Sequence, residues 1–368
     1  MPWQVVSRNG PGMNYRAMIL FDCQSLRLPN VGFYHYALNL SKALLAESVR
    51  HREKTGLYLP KCADGLYGNL GSFPIRRWHH IDKHYMHLGP RVHLYHVSNQ
   101  ITSYAPQSWR LPVLTTVHDI NFIHFSENRE VYDSLLKYTK RAIKHSTGIV
   151  TISESSRKDI CEYFDMDPSN VDMVYNGTCQ YDGPVTAPEK APDGKFLLYL
   201  GRVTFSKNIH VLPPVLVGND YKLVVCGMEA MDFEATLIRQ EARRWGVGDR
   251  VIFTGAVSDP VKHWLLQNCE AFLFPSLAEG FGLPIIEAMY HGKPVFCSDR
   301  TSLPEIGGDC VFYFNHDFEP RAMQEELQKG LEAYHAGEIP PEKIIARAIS
   351  FSWEKAAKEY YDIYEKML

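Results

Sequence analysis

The chain reads as an α/β protein made of two doubly wound parallel-sheet domains. Three observations predict this. Short apolar runs alternate with stretches of helical periodicity, the pattern of strand–helix–strand units. A length of 368 residues exceeds what one hydrophobic core usually holds. Near the middle, Tyr181 to Gly194 carries Pro184, Pro188, Pro192 and two glycines with little apolar content, as a linker does.

Composition narrows the class. Hydrophobic and charged fractions of 45% and 22% are those of a soluble globular protein. No apolar run approaches the ~18 residues of a spanning helix, and Met1 to Arg16 lacks the apolar core of a signal peptide, so a cytoplasmic location is expected. The first dozen residues read as an extension ahead of the fold. Cys23, Cys62, Cys161, Cys179, Cys226, Cys269, Cys297 and Cys310 form no C-x2-C pair and fall largely in apolar runs, which predicts reduced thiols and neither a disulfide frame nor a zinc site. The net charge of −3 argues against nucleic acid but is uneven. Residues 1–180 hold 20 Lys+Arg against 15 Asp+Glu, a balance of +5, and the remainder holds 19 against 27, a balance of −8. A basic first half suits an anionic partner, either a phosphate-bearing acceptor or a membrane surface; uneven solvation accounts for it equally well.

In order, Arg16 to Cys23 predicts a buried strand, and Val31 to Leu45 a helix entered through Asn30, Val31 and Gly32. One glycine at that turn excludes a dinucleotide G-x-G-x-x-G. Between His51 and Arg110 periodicity is weak. His79, His80, His84, His87 and His93 crowd there without H-E-x-x-H spacing, so structural or surface roles are expected for them. Leu94 to Val97 reads as a strand, with His96 and Asn99 at its end placed to face an interdomain crevice. Leu111 to Asp119 is a clearer strand that delivers His118 and Asp119 to a carboxyl edge, where open α/β sheets form sites. In the helix from Val131 to His145, Lys137, Lys140, Arg141 and Lys144 share one face, either solvated or turned toward anionic lipid. Strand Gly148 to Ser153, a helix to about Phe164 and strand Val171 to Gly177 complete the first domain.

The second domain opens with strand Lys195 to Arg202, and Thr204 to Asn208 then leads into a helix. Strand Tyr221 to Cys226, helix Asp232 to Trp245, strand Val251 to Ala256 and helix Pro260 to Asn268 follow. The most informative stretch is Ala271 to Asp299. There a strand to Pro275, a loop, a helix with Pro284 in its first turn and Gly292 at its end, and another strand succeed one another. Gly280 and Gly282 let the backbone approach a ligand, and a helix start favours anions. Glu279 in the loop and Glu287 in the first helical turn can both face the ligand. Two carboxylates beside amide donors suit a polyhydroxyl ligand that also carries phosphate. Arg202 and Lys207, between a strand end and a helix, supply the cations that a diphosphate needs. Phe351 to Leu368 is an amphipathic terminal helix with Trp353, Ala356, Tyr360, Ile363 and Tyr364 on one stripe.

Several of these strings resemble the retaining GT-B glycosyltransferases of family 4 (glycosyl transferases group 1), mannosyltransferases among them. EGFGLPIIEAM is similar to that family's E-x7-E signature, Gly201–Arg202 with Lys207–Asn208 to its G-R-x-x-x-x-K-N element, and TVHD and TISESSRKDI to its T-V-H-D and T-[VI]-S segments. The first loop matches in part, with Asn30 where glycine is common. The resemblance implies two Rossmann-like domains facing a cleft: residues 1–180 for the acceptor, 195–350 for the nucleotide sugar, and 351–368 returning to the first domain. It implies Glu279 and His118 at the donor sugar, Arg202 and Lys207 on its diphosphate, a backbone amide of Gly32 at the diphosphate, Gly280, Phe281, Gly282 and Leu283 along the donor, and Glu287 on the ribose. Gly227, Gly255 and Val257 are implied beside the base, and Asp119 as the residue that orients His118.

The expected activity is transfer of a hexose, with a lean to mannose from GDP-mannose, onto a saccharide or polyprenyl-diphosphate-linked saccharide in surface polysaccharide synthesis. Retention is expected, and with no D-x-D pair flanked by strand signals, no metal or other cofactor. Another GT-B enzyme (phosphorylase or epimerase) and a non-catalytic nucleotide-sugar-binding protein are the alternatives.

Overall fold

The computed structural model describes residues 3–4, 17–29, 31–68, 73–84, 86, 88, 90–102, 111–125, 129–178, 180–189, 191–228 and 232–368. By its internal contacts the chain divides into two compact units, 1–177 with 352–368, and 178–351.

The first unit is built on β1 (Trp3–Gln4), β2 (Met18–Asp22), β3 (Lys54–Leu59), β4 (Ile75–Arg77), β5 (Leu94–Val97), β6 (Val113–Val117), β7 (Gly148–Thr151) and β8 (Val171–Met173), in the sheet order β1-β4-β3-β2-β5-β6-β7-β8. Every pairing is parallel except that of β1 with β4, where Trp3 stands opposite Arg76. Two residues of the expected N-terminal extension therefore belong to the sheet. Strand order reverses between β2 and β5, so the carboxyl ends of these two strands open a crevice. Helices α1 (Gly32–Glu47), α2 (Phe122–Phe125), α3 (Arg129–His145) and α4 (Glu154–Phe164) make the crossovers. Ser153 caps α4 by accepting from the Ser156 N–H at 3.1 Å. On α3, Lys137, Lys140 and Lys144 are exposed and Arg141 is half-buried, while Leu135, Leu136 and Ile143 pack against a core of Val117, Ile149 and Ile160.

The second unit repeats the plan with β9 (Phe196–Leu200), β10 (Lys222–Cys226), β11 (Val251–Gly255), β12 (Ala271–Phe274), β13 (Val295–Ser298) and β14 (Phe312–Phe314), all parallel in the order β11-β10-β9-β12-β13-β14. Its reversal lies between β9 and β12. The helices are α5 (Asp232–Arg244), α6 (Asp259–Asn268), α7 (Leu283–Tyr290), α8 (Leu303–Gly307), α9 (Pro320–His335) and α10 (Pro341–Ile349). The helix expected after Asn208 is instead two 3-10 turns, Ile209–Val211 and Pro213–Leu216, and a third, Phe205–Lys207, precedes it. Pro213 and Pro214 cannot donate to an α-helical ladder there, and Asn208 takes a left-handed conformation at φ 57°. Residues 180–189 and 191–194 carry no regular element, and Tyr181 is stacked on His263 of α6 with ring centroids 3.9 Å apart.

The chain ends in α11 (Trp353–Met367), which belongs to the first unit and packs along α1. Ser352 caps it by accepting from the Lys355 N–H at 3.1 Å. Trp353, Ala356, Tyr360, Ile363 and Tyr364 are all buried, as their helical spacing predicts. Burying phenol rings this deep requires partners for their hydroxyls. They have them: Tyr360 Oη meets Tyr36 Oη at 2.8 Å, Tyr361 Oη meets Thr55 Oγ1 at 2.6 Å, and Tyr364 Oη meets His96 Nδ1 at 2.6 Å. His96 is thus a core residue whose other nitrogen meets Thr116 Oγ1 at 2.8 Å, and it has no place at a crevice. Asn99 is likewise spent on structure, donating to Ser25 Oγ at 3.1 Å.

Candidate active site

In the second unit the two strands that flank the order reversal carry the residues of interest. β9 runs into Gly201 and Arg202, and β12 runs into the loop from Pro275 to Gly282. Ser206 ties the two loops together. Its carbonyl accepts from the Leu277 N–H at 2.8 Å and from Ser276 Oγ at 3.2 Å. Lys207 Nζ then reaches Glu279 Oε1 at 2.5 Å and lies 5.6 Å from the centre of the Phe274 ring. Side-chain exposures of 23% for Lys207 and 13% for Glu279 leave this pair open to an incoming ligand. Arg202 is exposed.

The Glu279–Gly282 loop is held from behind. Thr301 Oγ1 accepts from the Glu279 N–H at 2.9 Å, and Ser302 Oγ donates to the carbonyls of Glu279 and Phe281 at 2.9 and 3.0 Å. Gly280, Phe281 and Gly282 are themselves buried, and Leu283 is half-buried. Gly282, at φ 106°, opens α7 with no side-chain cap, and Pro284 stands in its first turn. Glu287 is the fifth residue of α7 and so lies in its second turn, not the first. Its carboxylate pairs with Lys262 of α6, with Nζ 3.3 Å from Oε2. Lys262, Ser206, Thr301 and Ser302 carry no sequence signal of their own, because each acts through a tertiary contact.

At the base of this arrangement β9 and β10 touch at their ends. A Cβ on Gly227, which sits at φ 148°, would lie 1.9 Å from the Gly201 carbonyl oxygen. Only glycine permits that approach, and the approach fixes where Arg202 emerges. Gly255 also has a positive φ, 66°, but open space around its Cβ position.

In the first unit Gly32 begins α1, exposed, with a negative φ and nothing within 4 Å of a Cβ. The fold does not itself require glycine there. His118 follows β6 and is 5% exposed, edge-on to the rings of Phe33 and Tyr36 at 4.7 and 4.5 Å. Its Nε2 donates to the Ser98 carbonyl at 2.9 Å, which fixes the tautomer and leaves Nδ1 as the acceptor. The orienting partner is therefore the Ser98 carbonyl and not Asp119, whose Oδ1 accepts from the Asn121 N–H at 3.0 Å. Asp22, unnoticed in the sequence, is fully buried at the end of β2, where Gln24 donates to both its oxygens at 2.9 and 2.7 Å.

Burial holds His96 down at about 3 and His118 at about 4, and pushes the Asp22 carboxyl up to about 7. The histidines contribute stability that is present above pH 6.5 and lost as pH falls toward their folded values. Asp22 contributes stability that is present below its unfolded value of 3.8 and lost as pH rises toward 7. Between pH 4 and 6.5 two histidines oppose one carboxyl, a net of one proton. Unfolding titrations should therefore show stability falling on acidification through this window, and Asp22→Asn should steepen that fall.

For metals, His79 caps a 3-10 turn by accepting from the Ile81 N–H, and His93 Nδ1 accepts from the Met18 N–H at 3.1 Å. His87 and Cys179 lie outside the described residues. The other seven cysteines are free thiols, six of them buried.

Two doubly wound units, each with loops gathered at the carboxyl ends of its sheet, are the architecture of a GT-B glycosyltransferase. HepE of Anabaena in complex with UDP and glucose superposes with a TM-score of 0.70 at 17% identity, covering 94% of this chain and 99% of that one. Sucrose-phosphate synthase of Thermosynechococcus elongatus does so at 0.72 and 16%, covering 96% and 99%. Residues 26–178 match the family model described as Glycosyltransferase Family 4, and residues 186–350 the model described as Glycosyl transferases group 1. The chain belongs to glycosyltransferase family 4.

Among curated relatives, the O-antigen chain mannosyltransferase B of Escherichia coli is 26% identical over 94% of this chain and 99% of its own length. The O-antigen chain mannosyltransferase RfbU of Salmonella typhimurium is 28% identical over 55% of this chain and 57% of its own. No helix among the described residues is long and apolar enough to cross a membrane.

Proposed function

We propose that this glycosyltransferase moves mannose from GDP-mannose to a hydroxyl of a saccharide carried on a polyprenyl diphosphate, with retention at the anomeric carbon and without a metal ion. The observation that carries the reading is the Lys207–Glu279 pair at the strand-order reversal of the second unit, with Arg202 exposed past the end of β9 and Glu287 on α7. The end-to-end alignment with an O-antigen mannosyltransferase supports mannose as the sugar.

In this reading the diphosphate competes with Glu279 for Lys207. Breaking the bond from the anomeric carbon to the phosphate oxygen adds negative charge to the leaving diphosphate, and Lys207 and Arg202 stabilise that charge where it develops. Glu279, partly released, accepts from a hydroxyl of the sugar, and Glu287 from the ribose hydroxyls, with Lys262 holding its carboxylate in place. In the first unit, Gly32 presents an amide at the start of α1, and His118, neutral at pH 7, keeps Nδ1 as an acceptor for a hydroxyl. The acceptor oxygen bonds to the anomeric carbon on the face the diphosphate leaves, and its proton passes to the departing phosphate oxygen. This explains why no separate base is needed. The basic face of α3 suits the phosphates of a lipid-linked acceptor or of the inner membrane surface that carries it.

The test is an assay with GDP-mannose and UDP-glucose, a polyprenyl-diphosphate saccharide as acceptor, and EDTA present. The expected product is an α-mannoside formed from GDP-mannose alone. A β-linked product, or loss of turnover in EDTA that Mg2+ restores, contradicts the mechanism. Preferential use of UDP-glucose would instead favour the donor bound by HepE.

A further inference from the structure

Away from these loops, the turn joining α1 to β3 gathers acidic groups around one imidazole. His51 Nε2 lies 3.3 Å from Glu47 Oε1, and Nδ1 lies 3.1 Å from Glu365 Oε1 in the last turns of α11. The ring is stacked on Tyr361 with centroids 4.0 Å apart, which fixes its plane. A nitrogen of His51 and oxygens of Glu53 and Glu365 all lie within 4.8 Å of one another. Glu53 is a buried residue, 7% exposed, whose carboxylate has no ion pair or hydrogen bond to the described residues, so water or a cation meets it. Two cations of this turn are engaged elsewhere, and the third, Arg52, is exposed. Arg50 Nη1 holds Glu47 Oε2 at 2.7 Å, and Lys54 Nζ donates to the carbonyls of Ser48 and His51, both at 2.7 Å.

A carboxylate with no protein partner beside two further carboxylates and an imidazole favours a bound cation. We infer that His51, Glu53 and Glu365 form a site for a borderline divalent cation such as Zn2+ or Mn2+. One imidazole and two carboxylates are donors these ions accept, with water completing the shell. Glu47 takes the outer role: by accepting from Nε2–H it leaves the Nδ1 lone pair to the cation. Ligand atoms around tetrahedral zinc stand about 3.3 Å apart. Glu365, half-exposed near the chain end, can move to close that spacing. The cation then ties α11 to the body of the first unit, a structural role separate from sugar transfer.

The experiment uses the full chain stripped with EDTA, desalted, and titrated with ZnCl2, MnCl2 or MgCl2 while bound metal and thermal midpoint are read. One equivalent of Zn2+ should bind and, at a hundredfold excess over Kd, raise the midpoint by on the order of 5 °C, with Mg2+ much weaker. Without metal, Glu53→Gln should melt no lower than wild type, since it keeps the side chain's shape and removes one negative charge from an acidic cluster, yet it should lose the Zn2+ response. That pairing separates a lost ligand from a damaged fold. No stoichiometric binding, or a Glu53→Gln and Glu365→Gln chain that responds as wild type does, overturns the inference. Metal held by surface histidines such as His79 and His80 would give the latter result.

Discussion

Lys207→Ala is expected to lower kcat by about a hundredfold to a thousandfold while the folded chain persists. The magnitude follows from removing one fixed positive group from the place where charge develops on the leaving diphosphate. The geometry decides how the loss divides. In the free enzyme Lys207 is held by Glu279, so its attraction to ground-state donor is partly offset by the bond it gives up. The extra charge of the transition state meets no such offset, so kcat should fall more than donor affinity. Stability should fall less than activity, because both side chains reach water and the freed Glu279 carboxylate can be hydrated. Steady-state kinetics with a melting curve on the same preparation checks both halves. Lys207→Arg should recover part of the rate, as a retained cation with different geometry.

Gly227→Ala is expected to be the most damaging single methyl in the second unit. Its Cβ would sit 1.9 Å from the Gly201 oxygen, a backbone atom that cannot swing aside, and φ 148° is strained for any side chain. The ends of β9 and β10 must separate, at a cost of about 3 kcal/mol or more. Because Gly201 precedes Arg202, the same separation moves the arginine, so surviving protein should also bind GDP weakly. Denaturant melts and a GDP titration of the variant measure the two effects. Gly255→Ala is the control, with a strained φ but no collision, and should cost less.

The second unit was the more legible in the sequence, for a physical reason. Its site is made of contiguous strings that follow single strands, so Glu279 to Leu283 and Arg202 to Lys207 announce themselves as loop chemistry between strand and helix. What could not be read is what fastens those loops. Thr301, Ser302 and Ser206 act through hydrogen bonds across sequence gaps, and Lys262 meets Glu287 only because α6 and α7 are neighbours. The placement of Glu287 missed by one turn because Gly282, still outside the helix, delays its start to Leu283.

In the first unit, β3 escaped notice because Gly56 interrupts its apolar run. That glycine is needed where a Cβ would meet the Pro74 oxygen at 2.9 Å. Between Cys310 and Ser350 no element was anticipated, although β14, α9 and α10 fill the stretch and Glu319 caps α9. His118 was found by its place at a strand end, but its orientation by the Ser98 carbonyl depends on the neighbouring strand and has no signature in the sequence.

The most direct test of the central claim is a crystal structure of the chain with GDP. The diphosphate should lie within hydrogen-bonding distance of the Arg202 guanidinium and Lys207 Nζ, with the ribose hydroxyls on the Glu287 carboxylate and Glu279 released from its lysine. GDP bound elsewhere, or bound here with Arg202 and Glu287 both turned from it, would contradict the account.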